Sequence, residues 1–476
     1  MGMRVARAKS YRARCAIPAH IVLVAIPSRP IRIVRKNSLM EFSNIESITR
    51  KFRDLGVTRM FCKALAENDN IKQQIYLGGS FEVLKLLPYR EVRSEPGLKR
   101  PNFKAPLLMS WVDSAGQVAE APGAQLILYP DYPEVRLSGF VQHCPTAPSM
   151  HLQPIPRNLR KYNNGPDGRI LFLGVSPDRG TYAYLAPNAS LMAEEFRRRC
   201  DAGDFESEGV FWRLPIGQES NPRVELLSRL REIHKNGWHL SCKLNKAGQI
   251  MPYQAQNGGG YTLEALLGVK PNAVAGPDFM GWEIKGYSGD KVTLMTPEPD
   301  AGYYGKHGVE AFVRKYGRKI SGDRIYFTGG HRANQLCNSS GQMLRLNGFD
   351  ASNGKILDVS GGIELVDEIG NLSAAWSFRE LIERWGKKHA AAAYVPYEKK
   401  KVAPPEYRYK NPVFLGEGTE FSLYLLAISS GLVIYDPGSK VMNASTKKST
   451  VKARSQFRIP VRHLGLLYRK FEAVDL

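Results

Sequence analysis

Residues 258–285, GGGYTLEALLGVKPNAVAGPDFMGWEIK, decide how this chain is read. A strand over 281–285 alternates with period two, so Glu283 and Lys285 share one face while Trp282 and Ile284 share the other. The apolar pair anchors such a strand in a core, and the charged pair projects together. Asp278 precedes it, after a Gly-Pro turn that re-aims the chain. Upstream, 262–267 reads as a short helix with Thr262 as N-cap and Gly268 as terminator, and it carries a further carboxylate, Glu264. Carboxylates converging beside an ammonium suit a hard, oxygen-ligated cation with an activated water at its edge, an arrangement that hydrolyses phosphodiesters. The competing reading is a solvated edge strand, because PD followed by ExK is a short string that arises by chance. The alternation, the turn and Glu264 together favour a site.

Charge points to the same substrate. Among 476 residues, 67 Lys and Arg face 45 Asp and Glu, a net charge of +22, while 43% hydrophobic and 24% charged residues are ordinary for a globular protein. Such an excess favours a polyanion, nucleic acid or an anionic membrane surface. No stretch approaches the ~18 apolar residues of a spanning helix, so nucleic acid is the better expectation. Residues 1–39 carry nine Lys or Arg and no acid, leaving +13 of the +22 for the rest. That extension reads as a transit-type or nucleic-acid-binding arm, or as an over-long start with Met40 as the true initiator. The six cysteines are scattered without a CxxC pair, which supports neither a zinc ribbon nor a disulfide framework and implies a reducing cytoplasm.

The chain divides near 216–222, a polar, Pro-containing break, into a module over 40–216 and another over 222–476. The first is strand-rich, with strands at 124–129, 134–141 and 169–175, helices at 45–55 and 191–199, and an exposed loop over 145–169. The second opens with a helix from Pro222 whose face is Val224, Leu227, Leu230 and Ile233, ended by Asn236-Gly237. Strands at 291–295 and 324–328 and a helix at 377–389 follow. The fold class expected is α/β (α+β).

The 258–285 stretch resembles the active-site region of the MvaI/BcnI restriction endonucleases, related to the mismatch-repair nickase MutH. The likeness extends upstream through LLSRLREIHKNGWHLS and downstream through AAAYVPYE and QFRIPVRHLGLLY, so it spans Pro222 to the C-terminus, about half the chain. The resemblance implies a PD-(D/E)xK nuclease core, Asp278 and Glu283 as Mg2+ ligands, the carbonyl of Ile284 completing the metal shell, Lys285 orienting the attacking water, and Glu264 as an auxiliary acid. It also implies a monomer cutting the two strands in turn, with a transient dimer on DNA as the alternative. In the first half, FCKALAENDNIKQQIYLGGSFEVLKLLP is similar to the start of the EcoRII-type effector-binding domain, a DNA-binding pseudobarrel, which makes Lys63, Lys72 and Gln74 candidate DNA contacts.

Other candidates come from residue type. The segment 394–410, YVPYEKKKVAPPEYRYK, interleaves Lys399, Lys400 and Lys401 with tyrosines, Tyr407 among them, suiting phosphate plus groove contact or simply a solvated loop. Arg454, Arg458, Arg462 and His463 can read base edges or anchor phosphates, and His331 and Arg332 follow a Gly-Gly pair on a DNA-facing loop. His307 and His389 stay without a role. The leading expectation is a magnesium-dependent type II restriction endonuclease on double-stranded DNA, of type IIE if the first module binds an effector site. A MutH-like nickase and a non-catalytic DNA-binding protein on the same fold are the alternatives.

Overall fold

The helix Pro222–Lys235 starts where Asn221 accepts the amides of Arg223 and Val224 on its side-chain oxygen, with proline at the first position, where no amide is needed. Its buried stripe is Leu226, Leu227, Leu230 and Ile233; Val224, counted in the expected face, lies in the first turn and points to solvent. The computed structural model describes residues 42–66, 74–132, 134–152, 166–178, 180–217, 221–270, 278–400 and 402–476. All of these belong to one compact unit, Met40–Leu476. The basic extension 1–39 lies outside the described residues.

That helix packs against a six-stranded sheet. Trp238–Leu240, Glu406–Tyr409, Ala391–Lys400, Val413–Thr419 and Tyr468–Val474 lie in this order, and Glu283–Tyr287 pairs with Ala391–Lys400. The last pairing is parallel, with Glu283 opposite Ala392 and Lys285 opposite Tyr394. The long crossover between these two strands, residues 288–390, forms two smaller sheets of its own, lends strands to two more, and ends in the helix Phe378–Lys388, capped by Ser377 and closed by His389. Strands Lys291–Met295 and Arg324–Thr328 stand where expected. The segment 394–410 is not a surface loop: it forms the strand pair Ala391–Lys400 and Glu406–Tyr409 in mid-sheet.

A second helix, Gly258–Leu266, crosses the sheet edge and begins four residues before the expected Thr262. Thr262 is no cap. It is fully buried inside the helix, where its hydroxyl donates to the Cys242 carbonyl and accepts the Cys242 amide at 3.2 and 3.0 Å. The tertiary partner claims the hydroxyl that a helix start would have used. The glycines permit the approach: a Cβ on Gly258 would stand 2.5 Å from the Tyr407 hydroxyl, and one on Gly259 2.3 Å from the Tyr397 ring. Tyr409 donates its hydroxyl to the Gly259 carbonyl at 2.7 Å. Gly268, just past the end, takes the left-handed φ of +77° expected of a terminator.

In the first half the helices Ile45–Asp54 and Leu191–Asp201 pack on a seven-stranded sheet running from Glu206–Glu208 through Phe211–Leu214, Arg59–Ala66, Pro166–Ser176, Gly180–Ala186 and Met109–Val112 to Val118–Glu120. A five-stranded sheet accompanies it, in the order Ile75–Gly78, Glu134–Ser138, Gln125–Tyr129, Asn102–Pro106, Arg93–Glu95. Both are open among the described residues. No closed barrel forms, because the outermost strands of each sheet are three or four residues long and pair on one side only. Of the expected loop 145–169, residues 153–165 lie outside the description, and Ser149–Leu152 forms a 3-10 turn. The apolar core is continuous from first-half residues such as Phe61, Leu84 and Trp111 to Trp376, Trp385 and Tyr424 of the second.

Gly259→Ala is expected to cost roughly 1–3 kcal/mol, since neither the helix backbone nor the packed Tyr397 ring can yield. The urea unfolding midpoint reads it; a midpoint equal to wild type would mean that the close approach is not required.

Candidate active site

Asp278 is presented by a two-residue turn. Phe279 and Trp282 exchange backbone hydrogen bonds of 2.9 and 2.8 Å, and the intervening Met280 and Gly281 have φ of +45° and +91°. Positive φ at both central residues is the geometry whose twist matches a following strand. The expected Gly-Pro turn, residues 276–277, lies outside the described residues. One Asp278 carboxylate oxygen then accepts the Ile284 amide at 2.9 Å, tying the turn to the strand Glu283–Tyr287. Trp282 and Ile284 are each 4% exposed, so the apolar half of the alternation does anchor the strand.

The charged half behaves differently. Glu283 does not project from the surface but is 1% exposed, and its Oε1 accepts the Lys285 ammonium at 2.5 Å. A second ammonium, that of Lys388, stands 3.8 Å from the same oxygen. The other oxygen, Oε2, is buried with no hydrogen-bond partner. Burying a carboxylate half-satisfied is costly, and such an atom marks a place for a missing donor or cation.

Electrostatics tie three carboxyls and two lysines into one cluster. Burial raises Glu264 to about 7, with Asp278 and Glu283 pushing the same way against Lys285 and Lys388. Asp278 is also raised, by burial and by Glu283. For Glu283 burial works upward, yet Lys285, His389 and Lys388 outweigh it and the net direction is down. Neighbouring carboxyls driven apart in this way divide into a permanent anion and a proton carrier near neutrality. His389, without a role in the sequence, is fully buried behind the cluster. Burial, with Lys285 adding, lowers it to about 4. Its Nε2 lies 3.0 Å from the Leu294 carbonyl and must donate there, which leaves Nδ1 unprotonated, and that atom has no partner.

Sequence reasoning missed Lys388 and His389. The only local signal is a basic end to the helix Phe378–Lys388, which reads as a complement to the helix dipole. The parallel register of Ala391–Lys400 brings them to residues a hundred positions upstream.

Among the described residues no group of three or more His, Cys, Asp or Glu is arranged to hold a metal ion as it stands. Mg2+ is usually held by one or two carboxylates and otherwise keeps waters or phosphate oxygens. Asp278 and the orphaned Oε2 of Glu283 fit such a cation; the Ile284 side chain is buried in the core and only its backbone is at the site.

The candidate DNA contacts scatter. Lys399 and Lys400 are exposed at a strand end, Lys400 paired with Glu406 at 3.2 Å and lying over Trp238. Arg454, Arg462 and Arg332 are exposed, although Arg332 donates to the Gly431 carbonyl and Arg462 to His463, which is half-buried. Two expectations are corrected by burial. Tyr407 is 0% exposed and packs under the glycine helix, and His331 is 0% exposed between Tyr435 and Ser340. Alternation within a central strand turns Tyr407 inward, and ring stacking on Phe327 holds His331. Arg458 is held by Asp436 at 2.8 Å and by the Lys291 carbonyl. Lys63 is half-buried over Tyr76, its ammonium lowered by burial, and Gln74 accepts from Arg136. Lys72 and Lys401 lie outside the described residues.

The family model of the MvaI/BcnI restriction endonuclease family matches residues 227–468, which include the whole cluster. Solved structures are similar as well, two of them restriction endonucleases. One, a restriction endonuclease MvaI–cognate DNA substrate complex, shares 20% identity over 54% of this chain and 100% of its own, with a TM-score of 0.43. The other, restriction endonuclease MvaI in the absence of DNA, shares 21% over the same shares, with a TM-score of 0.32. No curated protein matches. The family match begins at Leu227, so the effector-domain likeness of the first half stands on its own sequence string.

A carboxyl raised on folding holds its proton more tightly folded than unfolded. Between the ordinary 4.5 and about 7, Glu264 therefore makes stability fall as pH rises. Glu264→Gln is expected to flatten that slope and to leave the metal-free protein more stable than wild type at pH 8. Urea midpoints across this window measure it, and an unaltered slope would exclude Glu264 as the titrating group.

Proposed function

The chain belongs to the MvaI/BcnI restriction endonuclease family, and on that premise we propose that it is a magnesium-dependent, site-specific endonuclease cutting both strands of DNA. One observation carries this reading: a buried carboxylate, Glu283, with one oxygen on an ammonium and the other orphaned, lies beside Asp278 and Glu264. The net charge of +22 suits the polyanionic substrate.

In this proposal Asp278 and Glu283, with the Ile284 carbonyl, would hold the cation. Bound there, Mg2+ would supply Lewis acidity toward a phosphoryl oxygen and acidify a water. Lys285 would orient the attacking water and stabilise charge developing on the phosphorane. Glu264, poised near 7, accepts or returns a proton beside it. His389, buried within electrostatic reach of Glu283 and Lys285, contributes no charge at neutral pH. Cleavage leaves 5′-phosphate and 3′-hydroxyl ends. With one such cluster among the described residues, cutting both strands takes either successive visits by a monomer, as the family resemblance implies, or a dimer formed on DNA. Exposed Lys399, Lys400, Arg454 and Arg462 supply backbone and groove contacts, and the first half adds a second DNA-binding surface of the type IIE kind, with Lys63 and Gln74 on it.

Supercoiled plasmid with Mg2+ tests the proposal. Wild type is expected to give linear product, with Asp278→Ala and Lys285→Ala slower by on the order of 10²–10³-fold. Open-circular product that never becomes linear would identify a nickase. Undiminished cleavage by either variant would sink the site assignment.

A further inference from the structure

The helix Phe378–Lys388 is held in one rotational setting by residues of the first half. The Glu383 side chain accepts the Val92 amide at 3.2 Å and the Lys387 ammonium at 2.5 Å, while Arg379 donates to Glu91 at 2.7 Å. The Tyr89 hydroxyl reaches the Glu383 carbonyl at 3.4 Å. On the same side Gly386 packs beside Leu84 and Tyr89, where a Cβ would stand in ordinary contact at 3.4 and 3.5 Å. Lys387 is thereby committed to the first half, its ammonium also lying over the Tyr89 ring at 5.3 Å.

Lys388 is the next residue, roughly 100° further round the helix. It points to the acidic cluster, with its ammonium 3.8 Å from Glu283 Oε1. That oxygen has its hydrogen-bond partner in Lys285 at 2.5 Å, and Lys388 is the looser of the two ammonium groups beside it. At 3.8 Å the contact is an ion pair and not a hydrogen bond, and the N–H donors of Lys388 remain available to a ligand. Exposure rises outward through the three side chains, from 2% for Glu283 to 23% for Lys285 and 40% for Lys388.

We propose that Lys388 is a second phosphate-binding cation of the site, contacting a non-bridging oxygen of the phosphodiester while Lys285 serves the attacking water. The inference rests on the endonuclease reading for the identity of that phosphate. Lysine contributes there as a point charge with freely rotating donors, which tolerates a substrate that approaches from solvent.

Two variants test it. Lys388→Met keeps the length of the side chain without its charge, and Lys388→Arg keeps the charge. Binding to linear plasmid DNA without divalent metal, followed across a salt series, is expected to lose about 0.9 from the slope of log affinity against log salt in the Met variant and nothing in the Arg variant. Single-turnover cleavage in Mg2+ is expected to slow about 10²-fold in Met and to stay within about tenfold of wild type in Arg. A Met variant with wild-type salt slope and a rate within about threefold of wild type overturns the proposal. So does an Arg variant as impaired as Met, because charge would then not be what matters. Should wild type leave plasmid intact, the endonuclease reading fails, and the salt slope still decides whether Lys388 meets phosphate.

Discussion

A carboxylate removed from water sets the terms for the second half of this protein. Glu283 is almost wholly buried, and a charge so placed survives only with compensation close at hand. Lys285 supplies part of it from the same strand, and Lys388 supplies more from the end of a helix far along the chain. One oxygen is still left without a partner. Stability alone would favour an apolar residue at this position, so the half-satisfied carboxylate is a feature that binding, not folding, explains.

Everything around Glu283 is arranged to keep that geometry. The Met280–Gly281 turn folds Asp278 back onto the Ile284 amide, and Trp282 and Ile284 sink the strand into the sheet. Gly258 and Gly259 let a helix lie against three tyrosines, which brings Glu264 within electrostatic reach of the others. The parallel pairing with Ala391–Lys400 carries the end of the long crossover to the same spot. Parallel neighbours need a crossover connection, and here that obligatory segment has grown into sheets of its own. The first half in turn grips the crossover's last helix through Tyr89, Glu91 and Val92. A module outside the nuclease core therefore bears on the orientation of a residue at the site's rim.

Local chemistry determined a good deal. Period-two alternation located the strand and its apolar anchor, Pro222 with Asn236-Gly237 bounded a helix, and Asp278, Glu283, Lys285 and Glu264 were recognisable as a set from residues close in sequence. Those features depend on neighbours a few positions apart, which is the range over which a sequence speaks directly. Tertiary structure decided the rest. It buried Glu283 instead of projecting it, turned Tyr407 and His331 inward, assigned the Thr262 hydroxyl to Cys242, left the first-half sheets open, and brought Lys388 and His389 to the cluster. Each outcome depends on strand register or packing between distant segments. A one-residue change of register would reverse every face involved, and no short string of residues records which register is chosen.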